Sequence, residues 1–220
     1  MGAPHLDRFR AARRALVERL RSQGIDDLAV LHAFDVVPRH LFVPEALQLR
    51  AYEDAPLPIG FGQTISQPSM HARVLQGLEL KPTDRVLEVG TGSGFQTALL
   101  AQLSAQVYSI ERIAELARRA RFVLDALGPL RVALRVGDGS VGWRRYAPFD
   151  AIVVSAAVVE VPAALREQLV VGGRLVAPVG TGTEQRLMRL RRTPTGEVVE
   201  DLGPARFLPL VPRATSEEAG

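Results

Sequence analysis

Between residues 85 and 179 the chain alternates short apolar segments with helical ones, and few folds accommodate that rhythm. Residues 85–89, 106–110, 132–136, 149–155 and 174–179 read as strands, and 96–103, 114–127 and 162–169 as helices between them. The 149–155 run, FDAIVVS, is apolar enough to predict a central strand. Alternation of this kind predicts an α/β chain with a doubly wound, mostly parallel sheet and helices on both faces. Gly172-Gly173 should turn the chain before the fifth strand. Residues 187–191 and 206–210 should form a late pair, with a turn over 193–196.

The flanks differ in texture. Leu6, Phe9, Arg13, Leu16, Val17 and Leu20 recur at helical spacing up to Gly24, and a second helix, capped by Asp26 or Asp27, carries Leu28, Leu31 and Phe34 before Pro38 stops it. Pro44, Pro56, Pro58 and Pro68, with Gly60 and Gly62, leave room only for loops or short edge strands. Met70, Val74, Leu75, Leu78 and Leu80 mark another helix, ended by Lys81-Pro82. The expected organisation is an N-terminal helical extension and lid over 1–80, an α/β domain over 81–212 and a flexible tail over 213–220.

Composition narrows the function. At 47% hydrophobic and 23% charged residues the chain has the mix of a folded globular protein. No run of about 18 uncharged apolar residues is present, which excludes a membrane-spanning helix, and the expectation is a soluble, cytoplasmic monomer. Cysteine is absent, removing disulfides, thiolate metal sites and cysteine nucleophiles. Arginine supplies the basic charge, since Lys81 is the only lysine, and the net charge of +3 is small for a protein that tracks phosphates.

The first strand runs into Glu88-Val89-Gly90-Thr91-Gly92-Ser93-Gly94-Phe95. Glycines at alternate positions let backbone approach a ligand that side chains would repel; an ordinary tight turn accounts for only one or two of them. The spacing is G-x-G-x-G rather than the dinucleotide G-x-G-x-x-G, and no P-loop lysine follows. The acidic Glu88 repels phosphate but tolerates a cationic nucleoside, and S-adenosylmethionine fits. Glu111, about 20 residues beyond the first glycine, stands where an acid accepts from ribose hydroxyls; alone, it reads equally well as a surface charge near a helix start. Asp138, in Gly137-Asp138-Gly139, stands where a carboxylate accepts from the adenine amine, or is a plain turn aspartate. After the fourth strand, Ser155-Ala156-Ala157 lacks the Asn/Asp-Pro-Pro-aromatic turn that holds planar amines. Methylation at pyrimidine carbon 5 needs a cysteine, which the chain lacks.

Val37-Pro38-Arg39, Phe42-Val43-Pro44, Tyr52-Glu53-Asp54, Pro56-Leu57-Pro58-Ile59-Gly60, Gly62-Gln63-Thr64-Ile65-Ser66, the stretch 86–95, Gly137-Asp138-Gly139 with Gly142-Trp143, the stretches 149–152 and 168–180, and the closing Arg206-Phe207-Leu208-Pro209-Leu210 cover most of the chain. Together these segments resemble the protein-L-isoaspartate (D-aspartate) O-methyltransferase family of class I S-adenosylmethionine enzymes. The resemblance implies a Rossmann-like fold and transfer of a methyl group to the α-carboxylate of isoaspartyl residues in damaged proteins. It implies Ser66 as the catalytic residue that aligns the acceptor, a residue that local pattern alone reads as a loop serine or a cap for the following helix. It carries cofactor contacts onto Ile65 and Ser66, onto Glu88, Gly90, Thr91, Gly92 and Gly94, onto Glu111, Asp138 and Gly139, and onto Gln185. Metal is not expected. Ser69 stands where many members have a histidine. Two other readings remain open: a small-molecule or other carboxylate O-methyltransferase, and a nucleic-acid-binding protein using Arg8, Arg10, Arg13 and Arg14 with Arg189, Arg191 and Arg192.

Overall fold

The computed structural model describes residues 8–211, so the expected tail and the first residues of the first helix lie outside the described residues. Helix α1 (Arg10–Ser22) buries Leu16 and Leu20. Helix α2 (Leu28–Val36) is capped by Asp27, whose carboxylate accepts from the amides of Ala29 (2.9 Å) and Val30 (3.1 Å). It ends at Val37, which takes the extended conformation that a following proline imposes. The proline-rich stretch folds into two 3-10 turns, Arg39–Phe42 and Glu45–Arg50, and a small hairpin, β1 (Leu57–Gly60) with β2 (Gln63–Ile65). Helix α3 (Pro68–Leu78) starts on proline, whose missing N–H costs nothing in the first helical turn.

The alternation then unfolds as read: β3 (Arg85–Val89), α4 (Phe95–Leu103), β4 (Gln106–Glu111), α5 (Ala114–Ala126), β5 (Val132–Val136), β6 (Phe149–Val154), α6 (Ala163–Glu167), β7 (Leu169–Thr181), β8 (Glu184–Thr193) and β9 (Gly196–Ala205). They form one seven-stranded sheet in the order β5-β4-β3-β6-β7-β8-β9. The strands from β5 across to β7 are parallel, and β8 and β9 are added antiparallel.

Two expectations need correction. The last helix of the alternation is only Ala163–Glu167, because β7 begins at Leu169, which pairs with Phe149; Gly172-Gly173 is an irregularity inside this long strand rather than a turn before it. Gly172 has φ +84, the left-handed conformation that lets the strand deviate and resume its register at Arg174. The late pair is β8 with β9, around the two residues Pro194-Thr195, and not 187–191 with 206–210. A tight turn sets the register of a hairpin, and an edge strand needs backbone pairing more than burial, so the polar 196–205 segment takes the place.

Side chains of the sheet alternate between two apolar layers. Val86, Val107, Ala151, Val153 and Val176 face α1, α2 and α3 in one continuous core, while Leu87, Val89, Ile110, Ile152, Val154 and Leu175 face the other side. Burial on both faces explains why β6 reads as an unbroken apolar run.

Candidate active site

The carboxyl ends of β3 and β4 meet a cavity whose floor is the glycine loop. Gly90, Gly92 and Gly94 all have positive φ. Gly94 does not line the cavity; a Cβ there would lie 3.0 Å from that of Ala120, so its task is to let the loop pack against α5. Gly92 does line it, with φ +54 and its amide donating to Glu111 Oε2 at 2.8 Å. Glu111 ends β4 at the cavity wall and accepts a second amide, that of Ile113, on Oε1 (2.8 Å). Its carboxylate therefore fixes the loop and retains free lone pairs for ligand hydroxyls. Glu111→Ala is expected to weaken S-adenosylmethionine binding by about 1.5–3 kcal/mol, the range for bonds to a charged group. Calorimetric affinity equal to wild type would refute the ribose assignment.

Of the other sequence-predicted residues, Ile65, Ser66, Gly90, Thr91 and Gly139 line this cavity. Gly139 has no alternative there, since a Cβ would sit 2.4 Å from Val89 Cγ1. Asp138 lies just outside the lining and accepts from the amide (2.8 Å) and hydroxyl (2.7 Å) of Ser140, shaping the turn that presents Gly139. Gln185 is farther away. Its side chain donates to the carbonyls of Gly182 and Phe207, both at 3.0 Å, and accepts from the Phe207 amide at 2.7 Å. It thereby clamps residues 206–211 into a strap, further held where Ala157 donates to Leu208 and Leu210 donates to Ala157, both at 2.7 Å. Pro209, Leu210 and Val211 of the strap close the cavity.

Glu88 stands one layer behind the loop, fully buried and outside the cavity lining. It accepts from Thr97 Oγ1 (2.5 Å), Ser109 Oγ (2.7 Å) and Gln96 Nε2 (3.2 Å). Burial pushes its carboxyl up to about 7, against the pull of those three donors. Because the folded value lies above the unfolded one of about 4.3, the folded state holds the proton longer, and stability is lost as pH rises toward 7 and beyond. Between about pH 6 and pH 8 this amounts to about 1 kcal/mol, or about 2–4 °C in Tm for a chain of this size. Glu88→Gln should remove that share of the decline, and parallel slopes of Tm against pH in the two proteins would disprove it.

Gln96 links Glu88 to the cavity. Its amide nitrogen also donates to Ser155 Oγ at 2.6 Å, so its Oε1 faces His71 Nδ1 at 2.9 Å. The ring proton accordingly sits on Nδ1, and Nε2, buried and without a hydrogen-bond partner among the described residues, is an acceptor at the cavity wall. Burial, with Arg39 nearby, lowers the His71 pKa to about 3 and keeps the ring neutral. Sequence reasoning missed His71, Gln96 and Ser155 as a unit. The only signal was that each lies in or beside a segment carrying the family resemblance.

Ser66 follows β2 and lines both this cavity and a neighbouring one. Its backbone carbonyl accepts from Arg39 at 2.9 Å, while its hydroxyl has no hydrogen-bond partner among the described residues. Arg39 is 1% exposed; it also donates to the Ala51 carbonyl (2.7 Å) and lies 4.8 Å over the ring of Phe95. Burial brings its pKa down to about 9, leaving it charged at neutral pH. Ser69, in the position where many members carry histidine, faces away from the cavity: its amide donates to Asp54 (2.9 Å) and its hydroxyl accepts from Gln67 (2.8 Å).

The arginines that suggested nucleic acid are largely engaged within the protein. Arg189 pairs with Glu79 and Glu200, Arg191 with Glu79 at 2.7 Å, Arg192 donates to the Leu169 carbonyl, and Arg13 lies 3.8 Å from Asp35.

Residues 11–215 match the family model of protein-L-isoaspartate(D-aspartate) O-methyltransferase. A protein-L-isoaspartate O-methyltransferase of Syntrophus aciditrophicus is 50% identical over 210 residues, covering 94% of this chain and 96% of its own. One from Gloeobacter violaceus is 52% identical over 194 residues, covering 88% and 95%. Among solved structures, a Plasmodium falciparum chain assigned as a protein-L-isoaspartate O-methyltransferase and bound to S-adenosyl-L-homocysteine superposes with TM-score 0.78 at 28% identity, over 90% of this chain and 98% of its own. A glycine-floored cavity under a serine-bearing hairpin, matched along nearly the whole chain, leaves one assignment: this chain belongs to the protein-L-isoaspartate(D-aspartate) O-methyltransferase family.

Proposed function

We propose that the protein methylates the α-carboxylate of L-isoaspartyl residues in damaged proteins, with S-adenosylmethionine as donor and Ser66 as the residue that aligns the acceptor. The observation that carries the Ser66 assignment is its unpartnered hydroxyl on a wall shared by two adjoining cavities. The first cavity fits the donor: Gly139 and Gly92 leave backbone where a side chain would intrude, Glu111 offers a carboxylate, and the orphaned His71 Nε2 awaits a donor group.

S-adenosylmethionine, when bound, supplies an electrophilic methyl on a sulfonium. The protein has little proton chemistry to perform, because the acceptor carboxylate is already ionised at neutral pH. Ser66 donates a hydrogen bond to that carboxylate and leaves its other oxygen directed at the methyl. One C–O bond forms as one C–S bond breaks, charge is neutralised, and the strap residues Pro209–Val211 exclude water, which favours such a step. Alignment of this kind is worth about 7 kcal/mol or more of the barrier. The ester then loses methanol when the neighbouring backbone nitrogen closes a succinimide, whose hydrolysis returns part of the chain to aspartate.

The protein works in this reading as a cytoplasmic monomer, and size-exclusion chromatography checks the second term. Transfer of labelled methyl to an isoaspartyl peptide, and not to its aspartyl twin, tests the reaction. Equal labelling of both would replace it with undirected carboxylate methylation.

A further inference from the structure

The second cavity lies on the other side of Ser66 from the glycine loop. Its walls are Gln63, Thr64, Ser66, Gln67 and Met70 from the hairpin side, Ser155 and Ala156 after β6, and Arg206, Phe207 and Leu208 from the strap. A third cavity opens beyond the strap toward Val159, Glu160 and Pro162, and it shares the same three strap residues. Arg206 to Leu208 thus form a sill between two hollows, the nearer of which adjoins the reacting position. Val159 (78% exposed) and Leu208 (41%) give this surface an apolar character.

Among the described residues, Arg206 is the only one with an ionisable side chain that lines the nearer hollow. It is exposed, and no described residue pairs with its guanidinium. That separates it from the arginines of the adjoining hairpin: Arg186 pairs with Asp201 at 2.8 Å, Arg189 with Glu79 and Glu200, and Arg191 with Glu79. The backbone on which it stands is held by Gln185 through both polar atoms of Phe207. An unpaired guanidinium carried on a held backbone is a fork shaped for carboxylate. The reacting carboxylate is not its partner. That group must touch the cofactor cavity, which Arg206 does not line, and a cation on it would weaken the nucleophile.

We infer that Arg206 is a specificity-determining residue, which selects isoaspartyl acceptors carrying a carboxylate side chain on a residue flanking the isoaspartate. The inference rests on the isoaspartyl reading of the site and adds to it a preference for acidic sequence context.

Two peptide sets test it, identical except for Glu, Gln or Lys at the residue after the isoaspartate in one set and before it in the other. Wild-type kcat/KM at low salt should rank Glu over Gln over Lys in at least one set. The step from Gln to Glu should be about three- to fivefold, the upper range for an exposed ion pair. It should shrink at about 0.5 M salt, where the Debye length falls to a few Å. Arg206→Gln should level Glu with Gln, and Arg206→Glu should invert the order. Flat rankings in both sets, or rankings unchanged in Arg206→Gln, overturn the inference. So does an equal fall on all peptides in Arg206→Gln, which would place Arg206 on the reacting carboxylate. Should the variants fail to fold, the salt dependence of the wild-type ranking decides alone. A wild-type protein that methylates none of the peptides would instead bring down the isoaspartyl reading itself.

Discussion

Ser66→Ala is expected to lower kcat on an isoaspartyl peptide by one to about three powers of ten, the scale on which a transition-state hydrogen bond or alignment is lost. The affinity for S-adenosylmethionine should stay within about twofold of wild type, well under the roughly 1.4 kcal/mol that a tenfold change represents. The two halves of this expectation have separate structural causes. The Ser66 backbone is held from behind by Arg39 through its carbonyl, so removing the hydroxyl leaves the hairpin where it is and leaves Ile65 on the donor cavity. The hydroxyl itself is unpartnered, so its loss orphans nothing inside the protein. What disappears is the group that orients the acceptor. Ser66→Thr, which restores a hydroxyl, should recover part of the rate. Wild-type kcat and KM in the alanine variant would make Ser66 a structural serine and move the role to backbone groups of the same hairpin.

Gly92→Val is expected to reduce S-adenosylmethionine affinity by at least about a hundredfold while the chain still folds. Its φ of +54 is a conformation that a β-branched residue occupies only at a cost of about 1–3 kcal/mol. The nearest atom to an added Cβ is Ile59 Cδ1 at 3.6 Å, ordinary contact, so the strain of the substitution lies in the backbone conformation rather than in a clash at Cβ. Relief of the strain requires the loop to move, and movement breaks the hydrogen bond that the Gly92 amide donates to Glu111, worth about 1.5–3 kcal/mol. Both losses fall on the loop that floors the donor cavity. Thermal melting separates this from misfolding: a small drop in Tm with binding lost is the expected pattern, and a folded variant that binds normally would show that the loop does not touch the ligand. Gly92→Ala, without the branch, should fall in between.

The main elements were legible because they repeat a simple rule. Apolar runs of strand length between helical stretches, buried on both faces, announce the parallel sheet, and the Asp26-Asp27 pair announces the second helix, of which Asp27 is the cap. The 3-10 turns at residues 39–42 and 45–50 carry no such periodicity. Register escaped as well, because the pairing of β8 with β9 depends on a two-residue turn and not on apolar pattern. At the site, local spacing singles out the glycine loop, Glu111 and Asp138, while Gly139 comes only through the family resemblance. Glu88 was seen as part of the loop, but which way its carboxylate points is decided by Thr97 and Ser109, 9 and 21 residues away. Arg39 reaches carbonyls 12 and 27 residues distant, and Gln96 meets His71 across 25. Such contacts exist only once the chain has folded.

The walls of the site come from different parts of the chain. The first cavity is floored mainly by residues between Val89 and Gly139, on the α/β framework, whereas the second is walled by a short hairpin before that framework, by Ser155 and Ala156 within it and by a strap after it. Hairpin and strap also border the first cavity, through Ile65 and Pro209 to Val211, so the positions free to change without altering it are those that line the second cavity alone, Met70 and Arg206 to Leu208 among them. A surface that meets the substrate can thus vary at a few positions while the hollow beside it keeps its shape.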